Sequence, residues 1–159
     1  MLASMGEGVA GRQAPLIHAT GAGRTAFRQT LDHLIELGLV ERNPGHGHPL
    51  RPEFRLTEEG QAAAQMALRV RAILQDDAGW DLARKAWTLP VLRATLEPAR
   101  FTDIRRQLVP ITDRALSQSL VRLEASNWML RDVDVQARPA RALYEATGQG
   151  RTISELLAA

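Results

Sequence analysis

The chain has 159 residues, 45% of them hydrophobic and 24% charged, which suits one ordinary domain or two very small ones and excludes a disordered tail. It has no cysteine, so disulfides and thiolate metal ligands are excluded, and no apolar run approaches the roughly 20 residues needed to span a bilayer. The formal net charge is +2, and every basic residue except Lys85 is an arginine. The N-terminal segment lacks a basic start followed by an apolar core, so no secretory signal is predicted and we expect a cytoplasmic protein.

The arginines are unevenly distributed along the chain. Between Arg100 and Arg151 there are nine arginines against six acidic residues, whereas residues 56–99 have a net charge of −1. Arginine binds phosphate and guanine edges better than lysine does, although a GC-rich coding bias explains the excess equally well. The asymmetry is compatible with a nucleic-acid-binding face without establishing one.

Residues 1–60 predict a truncated helical unit. A short helix is expected around Pro15–His18, and a longer one follows over TAFRQTLDHLIEL, where Gly38 can take the left-handed turn that ends it. Two short strands, Leu39–Asn43 and Glu53–Leu56, then flank the loop PGHGHPLRP. No first helix is expected in this unit, because the counterpart of Trp87 in the second half would precede residue 1.

Two motifs in this unit resemble binding sites but have simpler explanations. The histidines of GHGH (45–48) would need further metal ligands, which the chain offers only in His18 and His33, so an exposed wing tip is the preferred interpretation. GAGR (21–24) lacks the strand and lysine of a phosphate loop and is interpreted as a turn. No nucleophile or paired-carboxylate pattern stands out, so we expect no enzyme, no metal and no cofactor.

The next part of the chain predicts a connecting helix over residues 58–75 and then two short helices. The first short helix carries mostly apolar core candidates: Trp87, Leu89, Val91, Leu92 and Leu96. A turn at Glu97–Arg100 separates it from a second helix, whose apolar face is Phe101, Ile104 and Leu108. We expect Trp80, Trp87 and Trp128 to serve core packing rather than to line an effector pocket.

A third helix and a hairpin complete the second half. Thr112 is a good N-cap, and leucines at helical spacing predict a buried stripe of Leu116, Leu120 and Leu123. Asn127 can take the left-handed turn that ends the helix. The strands Met129–Asp134 and Arg141–Ala146 then flank a loop that contains Pro139. Three helices and a hairpin in this order predict a winged helix-turn-helix.

The two halves of the chain repeat each other. At an offset of 89, Ala26 matches Ala115, Gln29 matches Gln118, Leu31 matches Leu120, Leu34 matches Leu123 and Arg42 matches Arg131. Beyond the hairpin loop the offset is 90, and Phe54 matches Tyr144, Thr57 matches Thr147 and Gly60 matches Gly150. Both threonines are expected to cap the helix that follows. We infer the duplication of one structural unit.

Four sequence pieces carry a family resemblance. They are WTLPVL from residue 87, RFTDIRRQL from residue 100, ITDRALSQSLVRLE from residue 111 and TGQG from residue 147, with the hairpin between the last two. In this order they resemble the HxlR-type family of winged helix-turn-helix transcriptional regulators, over roughly residues 85–157. Pro98 departs from the family's commoner glycine, and Asn127-Trp128 departs from Gly-Leu. The resemblance implies a bacterial DNA-binding regulator, usually dimeric, with the third helix in the major groove and the hairpin as the wing.

We therefore predict a mainly α protein with small β-hairpins, in the α+β class. Its architecture is a tandem winged helix-turn-helix, each unit built on a three-helix core plus a two-stranded wing, with the first unit lacking its first helix. The predicted domains are residues 1–60 for the truncated unit, 61–84 for the connecting helices, and 85–159 for the complete unit with its C-terminal helix.

The exposed face of the third helix, residues 112–126, is the candidate major-groove surface. It carries Arg114, Ser117, Gln118, Val121 and Arg122, to which the resemblance adds Thr112. Arginine can bind guanine and glutamine can bind adenine, each through two hydrogen bonds. The candidate phosphate-binding residues of the second helix and the wing are Arg100, Arg105, Arg106, Arg138 and Arg141.

The corresponding face of the first unit carries Thr25, Arg28, Gln29, Asp32 and His33. It is either a second DNA-binding site or a former DNA-binding site that now serves packing.

The expected partner is double-stranded DNA, with no membrane association and an unknown small-molecule effector. A missing helix would leave Leu16, Ile17, Leu31 and Leu34 without cover, which the connecting helix, the C-terminal helix or another chain must then supply. A homodimer through the terminal and connecting helices is therefore a hypothesis. The alternative function is a tandem winged-helix protein–protein interaction module without sequence-specific DNA binding.

Overall fold

The computed structural model describes residues 1–43, 52–74, 76–134 and 140–159. It divides into unit 1, Met1–Arg69, and unit 2, Val70–Ala159, with the division inside the predicted connecting segment. Among the described residues, no helix combines the length and the apolar character that crossing a membrane requires.

Unit 1 begins with three helices and a short hairpin. Its elements are α1 (Leu2–Gly6), α2 (Gln13–Thr20), α3 (Arg24–Glu36), β1 (Val40–Arg42), β2 (Phe54–Leu56) and the greater part of α4 (Glu58–Ile73). The strands pair antiparallel, with Val40 opposite Leu56 and Arg42 opposite Phe54. The buried core of the unit consists of Leu16, Phe27, Leu31, Leu34 and Val40.

The helix α1 corrects the prediction that unit 1 has no first helix. Its apolar residues Leu2 and Met5 pack against the core of the unit, and Ala3 is buried. Five residues are too few to show helical periodicity in a sequence, and such a short helix is stable only through packing against distant residues. At an offset of 89, Leu2–Gly6 corresponds to residues 91–95 of the second half.

The apolar side chains of unit 1 are not left exposed, contrary to the prediction of an uncovered apolar surface. Leu16 is fully buried, Leu31 and Leu34 are buried, and Ile17 is half-buried within the unit. The expectation that a missing first helix leaves these side chains without cover was therefore wrong. The reason is that α1 and the hairpin supply side chains to the same core.

Unit 2 contains the more complete set of elements. In chain order they are α5 (Asp77–Ala83), α6 (Thr88–Ala94), β3 (Ala99–Arg100), α7 (Phe101–Gln107), α8 (Asp113–Ala125), β4 (Met129–Asp134), β5 (Arg141–Ala146) and α9 (Gly148–Ala158). The strands β4 and β5 have the predicted bounds. They pair antiparallel, with Met129 opposite Ala146 and Arg131 opposite Tyr144.

The strand β3 was predicted as part of a turn. Ala99 and Arg100 instead pair antiparallel with Tyr144 and Leu143 of β5, which makes a three-stranded sheet in the order β3-β5-β4. Two residues are too few to show the alternation of a strand in a sequence. The pairing instead depends on the backbone N–H and C=O groups at the free edge of β5.

The core of unit 2 forms where α6, α7, α8 and α9 meet the sheet. Its fully buried side chains include Leu92, Ile104, Leu116, Leu120, Leu123 and Ile153. Trp128 is buried in this core, while Trp80 and Trp87 are half-buried against it, so all three tryptophans serve packing as predicted.

The ends of α3 and α8 repeat the same turn. Gly38 has φ 69° and Asn127 has φ 56°, so both residues take the predicted left-handed conformation. The amide of the next residue then donates to a leucine carbonyl in the helix, Leu39 to Leu34 at 2.9 Å and Trp128 to Leu123 at 2.9 Å. The turn therefore recurs at the offset of 89 that relates the two sequences.

The threonine and glycine of each T-x-x-G motif lie against this turn. The Thr57 Oγ1 donates to the Gly38 carbonyl at 2.6 Å and accepts from the Gly60 amide at 3.0 Å, which confirms its predicted cap. Thr147 is the N-cap residue of α9, as predicted, but its Oγ1 makes no cap hydrogen bond and instead donates to the Asn127 carbonyl at 3.4 Å.

Each motif glycine lies against the first residue after the turn. A Cβ at Gly60 would come within 1.8 Å of the Leu39 carbonyl oxygen, and one at Gly150 within 2.2 Å of the Trp128 carbonyl oxygen. Only glycine allows this approach. These recurrences are consistent with a duplicated unit.

Candidate nucleic-acid interface

The helix α8 is held in a single orientation by its cap and its buried stripe. The Thr112 Oγ1 accepts a hydrogen bond from the Ala115 amide at 3.2 Å, as predicted for an N-cap. The leucines of the predicted stripe, Leu116, Leu120 and Leu123, are all buried. Ser119 lies beside them and donates its hydroxyl to the Ala115 carbonyl at 2.8 Å. One face of α8 is therefore committed to the core.

The opposite face of α8 is free of the core of unit 2. All the residues predicted on this face are exposed: Thr112, Arg114, Ser117, Gln118, Val121 and Arg122. Val121 is 65% exposed and is the one apolar side chain among these residues. We call this set the α8 face. It combines hydrogen-bonding side chains with one apolar contact.

Two arginines of α7 lie near the start of α8, and both form ion pairs. Arg105 pairs with Asp113 in the first turn of α8, and Arg106 pairs with Asp103 at 2.8 Å. In contrast, Arg114 and Arg122 form no ion pair with any other described residue. The charges of Arg114 and Arg122 are therefore available for an external anion.

The wing contributes fewer described candidates. Arg141 is exposed at the start of β5, opposite Asp134, and Arg100 is half-buried in β3. Arg138 and Pro139, both predicted on the wing, lie outside the described residues. The described part of the predicted phosphate-binding set thus lies on β3, β5 and α7.

Two exposed residues near these arginines were not predicted as site residues. Val109, in the turn between α7 and α8, is 77% exposed and lines a shallow pocket with Arg105, Arg106 and Thr112. Arg131 is exposed on β4. The strand alternation of Met129–Asp134 could have indicated Arg131, whereas no sequence pattern distinguishes Val109 from a buried turn residue.

Arg151 stabilises unit 2 through hydrogen bonds to two glutamates. It donates to Glu155 at 3.1 Å and to Glu145 at 2.9 Å, which ties the start of α9 to β5. The hydrogen bond to Glu155 is the main reason that the pKa of Arg151 is raised. Its charge is therefore used within unit 2.

Unit 1 presents a second face of the same kind. Thr25, Arg28 and Gln29 are exposed on α3, as are Asp32 and His33 further along the helix. The opposite side of α3 is buried through Phe27, Leu31 and Leu34. We call the exposed set the α3 face.

No cluster of three or more histidine, aspartate or glutamate residues suited to a metal occurs within residues 1–43, 52–74, 76–134 and 140–159. The histidines of GHGH (45–48) lie outside those ranges.

The second half of the chain matches a known family. Residues 82–159 fit the family model described as HxlR-like helix-turn-helix, a span that includes α6 to α9 and the whole sheet. These residues are similar to HxlR-like helix-turn-helix domains. The matched span contains the α8 face and the wing, and this similarity supports a DNA-binding regulator.

Solved structures similar to the chain include two of YodB from B. subtilis. The diamide-treated form is 24% identical, with a TM-score of 0.44, and covers 52% of this chain and 85% of its own. The reduced form is 22% identical, with a TM-score of 0.47, and covers 52% and 80%. A protein assigned as a MarR-family transcriptional regulator from Porphyromonas gingivalis W83 is 16% identical, with a TM-score of 0.46 and coverages of 54% and 88%. The chain has no match among curated proteins.

Proposed function

We propose that the protein is a sequence-specific transcriptional regulator that binds double-stranded DNA in the cytoplasm. In this proposal α8 enters the major groove and the 129–146 wing lies on the DNA backbone. The observation that carries it is the exposure of Arg114, Ser117 and Gln118 opposite a fully buried stripe, within an HxlR-like domain.

The side chains of the α8 face suit base readout. Arg114 can donate two hydrogen bonds to guanine, and Gln118 can both donate to and accept from adenine. Ser117 lies between them and adapts to either role. Val121, one turn further along, offers an apolar contact for the methyl group of thymine. The face thus combines three kinds of base contact.

The arginines around α8 suit phosphate contacts, which position the protein without reading sequence. Arg105 and Arg106 would exchange their carboxylate partners for phosphates. Because both pairs are exposed, each contributes at most about 1 kcal/mol, so the exchange costs little. Arg141 and Arg138 would contact the backbone from the wing.

A homodimer through the terminal and connecting helices remains part of the proposal. Its support is now limited to α9, where Leu156 and Leu157 are half-buried although they lie beside the buried Ile153. Sedimentation at micromolar concentration tests it, and a stable monomer would contradict it.

An interaction module for other proteins is the second candidate function. The observation that favours it is the exposure of three apolar side chains, Val121 on α8 and Leu130 and Val133 on opposite faces of β4. Salt distinguishes the two functions. DNA binding through several phosphates weakens steeply as salt rises, whereas an apolar protein interface does not.

The proposed function is tested by selecting bound fragments from random DNA with the purified full chain at two salt concentrations. We expect a defined sequence motif, together with an affinity that falls steeply between the two salt concentrations. The absence of any selected motif would contradict sequence-specific binding, and an affinity insensitive to salt would favour the interaction module.

A further inference from the structure

We propose that unit 1 carries a second DNA-reading surface, the α3 face, so that one chain contacts two stretches of duplex. This inference rests on the proposed function of the α8 face and extends it to unit 1. It concerns Thr25, Arg28 and Gln29 of this face, together with Arg24 beside them.

The two helices expose equivalent faces because they bury equivalent residues. The buried residues of α3 are Phe27, Leu31 and Leu34, and at an offset of 89 they correspond to Leu116, Leu120 and Leu123 of α8. Both helices are 13 residues long and end in the same left-handed turn. The rotation of α3 about its own axis is therefore that of α8, and Gln29 occupies the position of Gln118.

Unit 1 holds α3 with its own residues. Leu16 and Val40 are buried beside the stripe of α3, and α1 packs on the same core. The hydrogen bonds of Thr57 to Gly38 and Gly60 fix the turn after the helix. The α3 face is thus presented by a structured unit and is not needed to complete the core of unit 1.

The first residues of α3 carry positive charge, whereas α8 begins with an acidic residue, so the start of α3 suits DNA better. Arg24 occupies the position that Asp113 has in α8, and its side chain is exposed. Residues 24–31 contain two arginines and no acidic residue. Arg24 and Arg28 form no ion pair with another described residue. In α8, by contrast, Asp113 at the position of Arg24 forms an ion pair with Arg105. The first two turns of α3 therefore present positive charge and hydrogen-bond donors together.

A DNA duplex is the occupant that this combination fits. Phosphates bind Arg24 at the start of the helix, while Arg28 and Gln29 have the donors and acceptors that read guanine and adenine. Asp32 and the pair of His33 with Glu36 at 3.8 Å lie in the later turns, so the contact is limited to the N-terminal half of α3. This arrangement matches the use of the first turns of a recognition helix for base contacts.

The test is a footprint on DNA selected by the full-length protein, compared among three variants. Arg28→Ala/Gln29→Ala alters the α3 face, Arg114→Ala/Gln118→Ala alters the α8 face, and Arg69→Ala removes an exposed arginine of α4 outside both faces. We expect the wild-type footprint to contain parts of two kinds, one read by the α8 face and the other by the α3 face. The α3 variant should lose base preference only in parts of the second kind and the α8 variant only in parts of the first kind, while Arg69→Ala changes neither.

Salt dependence supplies a second measurement. Arg24→Ala should lower the slope of log affinity against log salt by about 0.9, the contribution of one phosphate contact. Circular dichroism melts check folding of every variant. If an alanine variant unfolds, Arg28→Lys replaces it, because lysine keeps the charge and removes the planar fork that binds guanine.

The outcomes separate the two proposals. If the α3 variants leave the footprint, base preference and salt slope unchanged while the α8 variant alters them, the second surface is overturned and the proposed function stands. The second surface is also overturned if the α8 variant alters every part of the footprint, since the α8 faces alone would then account for it. If only the α3 variants have an effect, the α8 assignment fails and the second surface stands. If neither set has an effect, both proposals fail.

Discussion

Asp113 forms an exposed ion pair with Arg105 across the turn that joins α7 to α8. The pair places an acidic side chain in the first turn of the helix proposed to enter the groove, next to Arg114. In the proposed complex with DNA, Asp113 would have two effects: it would repel phosphate directly, and it would withhold Arg105 from phosphate. Both effects would oppose sequence-independent binding.

Replacing Asp113 by asparagine should strengthen binding to DNA of any sequence by about 3- to 10-fold at low salt, because Arg105 gains a phosphate contact. The salt slope should rise by about 0.9. The change should lower stability by less than about 1 kcal/mol, through the lost interaction with the start of the helix. Titration of random-sequence DNA at several salt concentrations measures the effect.

The matched control for that variant is Asp81→Asn, which breaks the exposed ion pair of Asp81 with Arg84 on α5. It removes the same charge away from the α8 face and should leave DNA affinity unchanged. Equal gains in the two variants would show that net charge alone, and not Arg105, is responsible.

Replacing Arg114 by alanine should relax base preference at one position of the selected site. The loss should be about 1–3 kcal/mol against the preferred base, with little change in affinity for random DNA. Because Arg114 is exposed and has no ion pair among the described residues, its removal should leave the thermal midpoint unaltered. Repeating the selection with the variant is the measurement, and an unchanged motif would refute the readout role.

Replacing Arg141 by alanine should weaken affinity for DNA without changing base preference. Arg141 is proposed to contact a phosphate from the wing, so affinity should fall by a similar factor for every sequence, and the salt slope should decrease by about 0.9. Binding isotherms for the selected site and for a scrambled site give both values. A loss confined to the selected site would mean that Arg141 reads a base.

Replacing Gly60 or Gly150 by alanine should destabilise the protein, because each new Cβ would lie within 2.2 Å of a backbone carbonyl oxygen. Relieving such a contact requires backbone movement and should cost about 1–3 kcal/mol or more. Gly23→Ala is the control, since its Cβ would meet nothing within 4 Å. Thermal unfolding followed by circular dichroism measures the three variants, and equal midpoints for all of them would contradict the close approach.

Replacing Thr57 by valine should be more costly than the same change at Thr147. The Thr57 hydroxyl makes two hydrogen bonds, at 2.6 and 3.0 Å, whereas that of Thr147 makes one at 3.4 Å. Each good hydrogen bond contributes about 0.5–1.5 kcal/mol, so Thr57→Val should lose about 1–3 kcal/mol and Thr147→Val less than about 1 kcal/mol. Urea unfolding measures the free energy of unfolding of both variants. A larger loss in Thr147→Val than in Thr57→Val would contradict the stronger hydrogen bonding assigned to Thr57.

The elements predicted best from the sequence are those with strong local patterns. The strands Met129–Asp134 and Arg141–Ala146 have their predicted bounds, and α8 begins after the predicted cap at Thr112. Alternation, helical spacing and left-handed turn residues are all set by neighbours in the chain, so a sequence pattern carries them. The exposure of Arg114 and Gln118 follows in the same way from the leucine stripe.

Features that depend on distant residues could not be predicted. The helix α1 forms because Leu2 and Met5 pack on a core built from later residues, and β3 is a strand because Tyr144 and Leu143 offer their edge to it. The ion pair of Arg105 with Asp113 depends on the angle between α7 and α8. Local order along the chain thus prescribes which faces exist, whereas long-range packing determines which charges on those faces remain available to DNA.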